Sequence, residues 1–323
     1  TVTSSSVQGD IFTQGNPIEL NGTDVVGTVS NTNKIYLNSS FVYGDVLAAT
    51  GWGSQVTIQG IGNSRIYGQC AYSGVSPTYL CSDSKDINEL LPLYLRFDEA
   101  TWRNATVRNS GTLDMVGSAS GAAETAGATP ALASPWGTCR YGKFSGTGLV
   151  SVPHSAALSF SNELSASFWL NVSELPTSGS VALLDKGDNY RLELDSSGRL
   201  VLRVNTRSRE LVISTVVGEG WNHVGFNLEY RSFIFILPTI NANIYINGKL
   251  KVSGSDTAIV GLGPVINNRY LNIGGVGSNG LRGFIDEVRL GDVLWGATEF
   301  GRQARARHWC GSSSAIDHFE FVT

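Results

Sequence analysis

The chain has 323 residues and a net charge of −4. Without a basic face it has no electrostatic reason to bind nucleic acid, and none of its apolar runs approaches the roughly 20 residues of a membrane helix, so we expect no membrane insertion. Glycine is abundant, with 38 residues, and methionine occurs once, which favours β structure with many turns.

The first 70 residues repeat a pattern in which a glycine stands between two apolar positions. The glycines of this pattern are Gly9, Gly27, Gly44 and Gly68, so the successive steps are 18, 17 and 24 residues. Apolar-x-apolar triplets lie between them, and two strands per repeat of about 18 residues predict one coil of a β-solenoid. The step of 24 predicts a loop insertion near residues 48–53. A small β-sandwich made of the same strands is the alternative.

Alternating apolar and polar residues predict antiparallel strands from residue 93 onward. The predicted strands are 93–97, 149–152, 166–172, 181–184, 190–194, 200–204, 211–215, 222–228, 243–246, 271–273 and 284–290. Residues 110–133, rich in small side chains, predict a long loop, and the apolar run 233–237 predicts a buried strand. The pair Asn247-Gly248 is a strong hairpin signal. This many strands without helical segments between them predict two packed antiparallel sheets.

Six segments in a fixed order resemble a laminin-G-like, or concanavalin-A-like, jelly roll over roughly residues 91–310. They are 144–153 (Phe-Ser-Gly-Thr-Gly-Leu-Val-Ser-Val-Pro), 166–170, 221–224, 243–248, 271–275 and 283–290. The expected fold is all-β, with a short N-terminal β-solenoid followed by a two-sheet antiparallel jelly-roll sandwich. The expected domains are residues 1–82, residues 83–311, and a linker with the first strand of a following domain at residues 312–323. The resemblance implies a binding module more often than a catalyst.

A narrower resemblance rests on the Gly-rich repeat before the jelly roll, the closing segment Arg-Ala-Arg-His-Trp-Cys at residues 305–310, and the Asp-His-Phe that follows at residues 317–319. This arrangement is similar to bacterial MSHA pilus-associated, MshQ-like surface proteins. The resemblance implies an extracellular location, at the cell surface or associated with a type IV pilus.

The four cysteines form no Cys-x-x-Cys pair, which disfavours a zinc site and favours two disulfides in an oxidising compartment. Three pairings are open, and four buried free thiols are the alternative. We favour Cys70–Cys81, which closes a local loop, and Cys139–Cys310. The second pairing follows from the resemblance, because the first and last strands of such jelly rolls lie close together.

The resemblance also implies a structural calcium ion, since laminin-G-like modules often hold calcium with carboxylates at strand ends. The corresponding residues are Asp98, Asn109 and Asp286. Asn109 stands where the family pattern has Asp, which removes a charge that calcium favours. The alternative is that these residues are charged strand ends that cap turns or form salt bridges.

Three residues in predicted loops are candidate ligand contacts: Trp136, Asn189 and Tyr270. Aromatic rings in loops can stack on sugars, and amides can bind sugar hydroxyls, although most loop aromatics simply pack as lids.

The function expected from these features is adhesion, through recognition of a glycan or a host or biofilm surface component, with pilus proteins as further partners. The alternatives are a structural scaffold of a pilus tip or surface assembly and a glycan-degrading enzyme. The strand signature Glu-x-Asp-x-x-Glu of jelly-roll glycosidases does not occur in the chain, so we expect no catalytic residues.

Overall fold

The computed structural model describes two compact units. The first comprises Thr1–Leu90, Ala128–Cys139 and Arg305–Thr323, and the second comprises Leu91–Gly127 and Arg140–Ala304. The described residues are 1–13, 16–31, 34–42, 46–49, 58–61, 64–66, 70–73, 91–99, 101–102, 105–121, 123–126, 136–137, 140–207, 209–233, 236–257, 263–276, 279–306 and 308–309. None of the helices in these ranges has the length and apolar character needed to cross a membrane. The domain boundaries expected from the sequence stay predictions.

The first unit is a β-solenoid in which each coil contributes three short strands. In chain order the strands are β1 (Val2–Thr3), β2 (Ser6–Gln8), β3 (Ile11–Thr13), β4 (Ile18–Asn21), β5 (Asp24–Val26), β6 (Val29–Asn31), β7 (Ile35–Asn38), β8 (Phe41–Val42), β9 (Val46–Ala49), β10 (Ile58–Ile61), β11 (Arg65–Ile66) and β12 (Cys70–Ser73). They stack into three parallel sheets, ordered β1-β4-β7-β10, β11-β8-β5-β2 and β12-β9-β6-β3. The solenoid prediction is confirmed, but the expectation of two strands per coil was wrong.

A glycine corner explains the extra strand. Val7 pairs with Val25 and Val25 with Val42, which reproduces the repeat steps of 18 and 17. Between β5 and β6 the chain turns at Gly27, whose φ is +154°. A Cβ added there would lie 2.4 Å from the carbonyl oxygen of Gly9 in the coil below. Only glycine fits this corner, which separates β5 from β6 within one apolar-x-Gly-x-apolar segment.

Hydroxyl side chains connect the coils at another corner. The backbone N–H of Thr23 donates to Ser40 Oγ at 3.0 Å, and the N–H of Ser40 donates to Ser64 Oγ at 3.2 Å. All three residues are buried, so each bond satisfies a backbone donor that water cannot reach. Inside the coils lies an apolar core formed by Ile18, Leu20, Val25, Val29, Ile35, Leu37, Val42, Val46 and Ile66.

The remaining strands follow in chain order. They are β13 (Leu93–Leu95), β14 (Thr106–Arg108), β15 (Val116–Ser120), β16 (Ala123–Ala126), β17 (Trp136–Gly137), β18 (Tyr141–Ser145), β19 (Leu149–Val152), β20 (Glu163–Glu174), β21 (Ser180–Asp185), β22 (Tyr190–Asp195), β23 (Arg199–Asn205), β24 (Glu210–Val216), β25 (Trp221–Phe233), β26 (Ile236–Ile246), β27 (Lys249–Thr257), β28 (Leu271–Ile273), β29 (Gly275–Val276), β30 (Asn279–Gly280), β31 (Arg282–Gly291) and β32 (His308–Trp309). A 3₁₀ turn spans Ala156–Leu158, and the α-helix α1 spans Ala297–Gln303.

The second unit is a sandwich of two antiparallel sheets. One has the order β16-β18-β31-β20-β25-β26-β27, with β13 paired to β31, and the other has the order β14-β15-β19-β28-β21-β22-β23-β24. Alternate residues of both sheets point inward and form one large apolar core, which includes Phe168, Phe226, Leu192, Ile273 and Val288. The predicted two-sheet sandwich is therefore confirmed.

The outer faces of the two sheets differ. Helix α1 packs on the first, which we call the helix-covered sheet: Phe300 lies against Tyr245 with ring centroids 4.6 Å apart, and Gln303 accepts a hydrogen bond from Ser167 Oγ. We call the second the open sheet, because outward-facing side chains such as Arg191 remain partly exposed on its face.

Three local expectations have different outcomes. Asn247 and Gly248 have φ values of 53° and 74°, as the hairpin prediction requires. The expected long loop at 110–133 was wrong over residues 116–120 and 123–126, where β15 pairs with β19 and β16 pairs with β18. Residues 127–133 lie outside the described residues. Of the run 233–237, predicted as a buried strand, Phe233 and Ile236 pair through their backbones between β25 and β26, and Leu237 is 59% exposed, which disagrees with burial. Residues 234 and 235 lie outside the described residues.

Candidate functional site

A pocket of about 390 Å³ opens on the face of the open sheet. Outward-facing residues of β21, β22 and β28 form its floor, and the turn after β21 and the segment before β28 form its wall. We call it the sheet-face pocket, and its lining residues are Ser180, Ala182, Asp185, Gly187, Arg191, Glu193, Arg269, Tyr270 and Asn272.

Two carboxylates in the floor are held by one arginine. Arg191 Nε lies 3.2 Å from Asp185 Oδ2, and its Nη1 lies 3.4 Å from Glu193 Oε1. Burial lowers the pKa of Arg191, but the two carboxylates outweigh burial and raise the pKa above its ordinary value. The guanidinium is therefore charged, and the three side chains fix one another in place.

Further bonds restrain Glu193 and Asp185. Ser180 Oγ donates to Glu193 Oε2 at 3.0 Å, and Arg203 Nε lies 3.0 Å from the same oxygen. The backbone N–H of Gly187 donates to Asp185 Oδ1 at 2.6 Å. Because these groups stand on adjacent strands, the sheet itself keeps their spacing.

Tyr270 and Asn272 complete the pocket beside these charges. The Tyr270 side chain is 55% exposed. On the adjoining strand, Asn272 Oδ1 accepts a hydrogen bond from Ser151 Oγ at 2.8 Å, which orients the amide. The pocket thus combines one aromatic ring open to solvent with several polar groups in fixed positions.

Arg269 lies over Gly187 at the wall. A Cβ added to Gly187, whose φ is +66°, would stand 2.3 Å from Arg269 Cδ. The guanidinium makes a loose pair with Asp188, at 3.8 Å, and both side chains are about two-thirds exposed. Glycine at position 187 therefore provides both the turn and the space for Arg269.

A lysine is buried behind this wall. Lys186 Nζ donates to the backbone carbonyl of Arg269 and to His154 Nδ1, the latter at 3.1 Å. Burial lowers the pKa of Lys186 to about 8. Burial and the neighbouring Lys186 also lower the pKa of His154 below its ordinary value. Both partners of the ammonium group are neutral.

The residues predicted as ligand contacts fall in different places. Tyr270 lines the sheet-face pocket. Asn189 is fully buried: its Oδ1 accepts from the N–H of Phe160, and its Nδ2 donates to the carbonyls of Phe160 and Val265. This is the geometry of a structural residue, and it does not support Asn189 as a ligand contact. Trp136 pairs through its backbone with Trp309 in the two-stranded sheet β17–β32, and its side chain lies outside the described residues.

The residues predicted to bind calcium do not fit that ion. Asn109 Oδ1 already accepts from the N–H groups of Tyr94 and Gly111, at 2.8 and 2.9 Å, so it offers little to a metal. Asp98 Oδ1 accepts from the N–H of Arg140, and Asp286 is fully buried with Oδ1 bound to the N–H of Glu287. Within the described ranges, no three or more His, Cys, Asp and Glu side chains cluster as metal ligands.

Asp286 instead borders a buried polar cluster on the helix-covered sheet. The bulge that places Glu287 at a φ of 53° turns its side chain outward. Glu287 Oε2 then lies 2.5 Å from both Tyr94 Oη and Arg289 Nη2. Burial raises the pKa of Tyr94 far above its ordinary value. His223 is buried nearby, and its pKa is lowered to about 3 by burial and by Arg289.

The predicted disulfides stay predictions. Cys81, Cys139 and Cys310 lie outside the described residues, and only the backbone of Cys70 is described, in β12. The pairing of β17 with β32 does bring the segments next to Cys139 and Cys310 together.

Sequence reasoning missed most of the pocket. Asp185, Arg191 and Glu193 were not predicted as site residues. The signal was present on β22, where Arg191 and Glu193 alternate with buried Tyr190, Leu192 and Leu194. The pocket could have been predicted from these charged residues, because they lie on the outer face of a central strand and not in a loop.

The sequence and the fold of the second unit are similar to those of known proteins. Residues 144–299 match the family Laminin_G_3, described as the concanavalin A-like lectin/glucanases superfamily. The search of curated proteins returned no match to the chain.

Three solved structures are similar to this chain at low sequence identity. The binding domain of Paraclostridial Mosquitocidal Protein 1 has a TM-score of 0.49 and 15% identity, covering 66% of this chain and 51% of that one. Domain 4 of AbnA, a GH43 extracellular arabinanase from Geobacillus stearothermophilus, in complex with arabinotriose, has a TM-score of 0.46 and 18% identity, covering 66% and 98%. The binding domain of Botulinum neurotoxin DC in complex with SialylT has a TM-score of 0.46 and 15% identity, covering 67% and 51%. The chain matches about half the length of the first and third structures.

The match covers strands from both sheets of the sandwich, including those that carry the sheet-face pocket. Residues 144–299 therefore form a domain of the concanavalin A-like lectin/glucanase superfamily.

Proposed function

We propose that the second unit is a carbohydrate-binding domain and that the sheet-face pocket binds sugar residues of a glycan. The observation that carries this proposal is the exposed Tyr270 ring beside polar groups that neighbouring strands hold in place. A sugar offers an apolar ring face and several hydroxyls, and a pocket with one aromatic surface and a few fixed polar groups suits both.

The charges of the pocket favour binding over hydrolysis. A glycosidase needs one carboxylic acid that carries a proton and a second carboxylate that is ionised. Asp185 and Glu193 both pair with Arg191, and Glu193 also pairs with Arg203. These pairs hold both side chains in the floor of the pocket, where they are only 11% and 9% exposed, so neither carboxyl group is free to approach a glycosidic oxygen.

The setting of this activity is part of the proposal. The resemblance to bacterial MSHA pilus-associated surface proteins supports an extracellular location, at the cell surface or on a pilus. Recognition of a glycan on a host or biofilm surface is the role that such a location would give to the pocket.

A glycan-array screen of the purified chain tests the proposed function. We expect binding to a defined set of glycans, and we expect the variant Tyr270→Ala to lose at least tenfold in affinity for them. Tyr36→Ala, in the first unit, serves as the control and should bind as the unaltered chain does. If the chain binds no glycan, the scaffold alternative is favoured and pilus components become the partners to search for.

A further inference from the structure

The acceptor groups of the sheet-face pocket are already used within the protein. Each of the four carboxylate oxygens of Asp185 and Glu193 has a protein partner. Gly187 N–H donates to one oxygen of Asp185, and Arg191 forms an ion pair with the other. Arg191 donates to one oxygen of Glu193, and Ser180 and Arg203 donate to the other. The side chains of the two acids are only 11% and 9% exposed. Because so little of either side chain is exposed, these carboxylates present few acceptor sites to a ligand.

Several hydrogen-bond donors of the pocket, in contrast, have no protein acceptor within the described residues. Arg191 donates a hydrogen bond from Nη1 to Glu193 and forms an ion pair with Asp185 through Nε, which has no hydrogen-bond partner in the described ranges. A guanidinium carries five N–H groups, so most of them are unused. Asn272 uses its oxygen to accept from Ser151, and within the described part of the chain its Nδ2 has no protein partner. Among the residues that the structure describes, the guanidinium of Arg269 has a single partner, the loosely paired Asp188. Spare donors on three side chains thus converge on one pocket with few spare acceptors.

The positive charge of Lys186, behind the wall of the pocket, also favours a negatively charged ligand. Lys186 is fully buried, and within the described residues its hydrogen-bond partners are a backbone carbonyl and a neutral imidazole nitrogen. An ammonium group without a carboxylate partner raises the potential around the Arg269 segment. Asp188 opposes this effect, but it lies at the exposed rim, where solvent screens its charge.

We propose that the glycan bound by the sheet-face pocket is acidic, with a carboxylate or sulfate group held by Arg191, Arg269 and Asn272. This inference rests on the proposed function and names the chemical class of its ligand. The acidic group would accept charge-assisted hydrogen bonds from the two guanidinium groups, which are the strong kind. Tyr270 would contact the ring that carries this group.

The test compares acidic glycans with their own neutral forms. An array would present uronic-acid oligosaccharides beside their methyl esters, and sulfated galactans beside their desulfated forms. We expect binding of an acidic form at least tenfold tighter than that of its neutral form, with affinity that falls as salt rises. The uronate and sulfate sets distinguish the two sources of negative charge.

Two variants should change the affinity for the acidic glycan in opposite directions. Arg269→Gln should weaken binding of the acidic glycan about tenfold, because it removes a charged donor. Asp188→Asn should strengthen the same binding several-fold, because it frees Arg269 from its competing partner. Arg231→Gln removes an exposed, ion-paired arginine from the helix-covered sheet and should change nothing.

The outcomes separate this inference from the proposed function. Equal or tighter binding of the neutral forms would overturn the inference and leave glycan binding in place. Unchanged affinity of both Arg269→Gln and Asp188→Asn would also overturn it. If neither the acidic nor the neutral glycans bind, the proposed function itself fails.

Discussion

Replacing His223 should change how the stability of the second unit depends on pH. His223 is fully buried on the helix-covered sheet, with its ring 5.4 Å from that of Trp169. Within the described residues, neither of its ring nitrogens has a hydrogen-bond partner. Burial and the nearby Arg289 lower its pKa from 6.5 to about 3. The folded protein therefore keeps His223 neutral at pH values where the unfolded chain protonates it.

The sign and the size of the effect follow from proton linkage. Between pH 6.5 and about 3 the unfolded chain binds one more proton at His223, so the free energy of unfolding falls as the pH falls. At 1.36 kcal/mol per pH unit, the whole span corresponds to about 5 kcal/mol. Between pH 6 and 4.5 the expected loss from His223 is about 2 kcal/mol.

The variant His223→Gln removes this titration. At pH 7 it should be less stable by about 1 kcal/mol, because the ring contact with Trp169 is lost. At pH 4.5 it should be more stable than the unaltered protein by about 1 kcal/mol, because it escapes the penalty of about 2 kcal/mol. The stabilities of the two proteins should therefore cross between these pH values.

Urea unfolding at several pH values provides the assay. Tryptophan fluorescence is a suitable probe, because four of the seven tryptophans lie in the second unit: Trp102, Trp169, Trp221 and Trp295. His154→Gln is the comparison, since His154 is only half-buried and its neutral form is favoured less strongly. Stability curves of the unaltered protein and His223→Gln that run parallel from pH 7 to 4.5 would refute the argument.

Three further outcomes are expected. Gly187→Ala should lower the affinity for a bound glycan about tenfold, measured by calorimetry, because the new Cβ displaces Arg269; unchanged affinity would contradict this role. EDTA should leave the melting temperature unchanged, because Asn109 is engaged by backbone N–H groups; a large drop reversed by calcium would show that calcium is bound. Ser40→Ala should destabilise the first unit by about 1–3 kcal/mol, measured by chemical unfolding, because it leaves the buried N–H of Thr23 without its acceptor; a change near zero would contradict this assignment.

Most of the fold could be predicted from the sequence, because both units are built from short repeating patterns of apolar residues and glycines. Period-two alternation predicted strands such as β19 and β28 with their observed bounds. The spacing of Gly9 and Gly27 predicted the stacking of the coils. The strands β15 and β16 were missed because their alanines, serines and glycine show no apolar alternation. Backbone pairing with neighbouring strands, which a local pattern does not reveal, determines their structure.

The pocket was harder to predict from the sequence, because it is built by residues that are far apart in the chain. Tyr270 was predicted as an exposed aromatic. Arg191 and Glu193 are two residues apart, but their significance appears only when β28 brings Asn272 to the same face. The prediction for Asn189 shows the opposite problem: a polar residue in a turn was expected to be exposed, yet its amide ties three segments together inside the protein.

The measurement that tests the central claim most directly is NMR mapping of the pocket during titration with the best glycan from the array. Binding at the sheet-face pocket predicts that the backbone amide signals of Arg191, Tyr270 and Asn272 shift together and saturate with one affinity. Signals of the helix-covered sheet, such as that of Arg231, should stay in place. Shifts confined to the helix-covered sheet or to the solenoid would contradict the assignment of the pocket as the glycan-binding site.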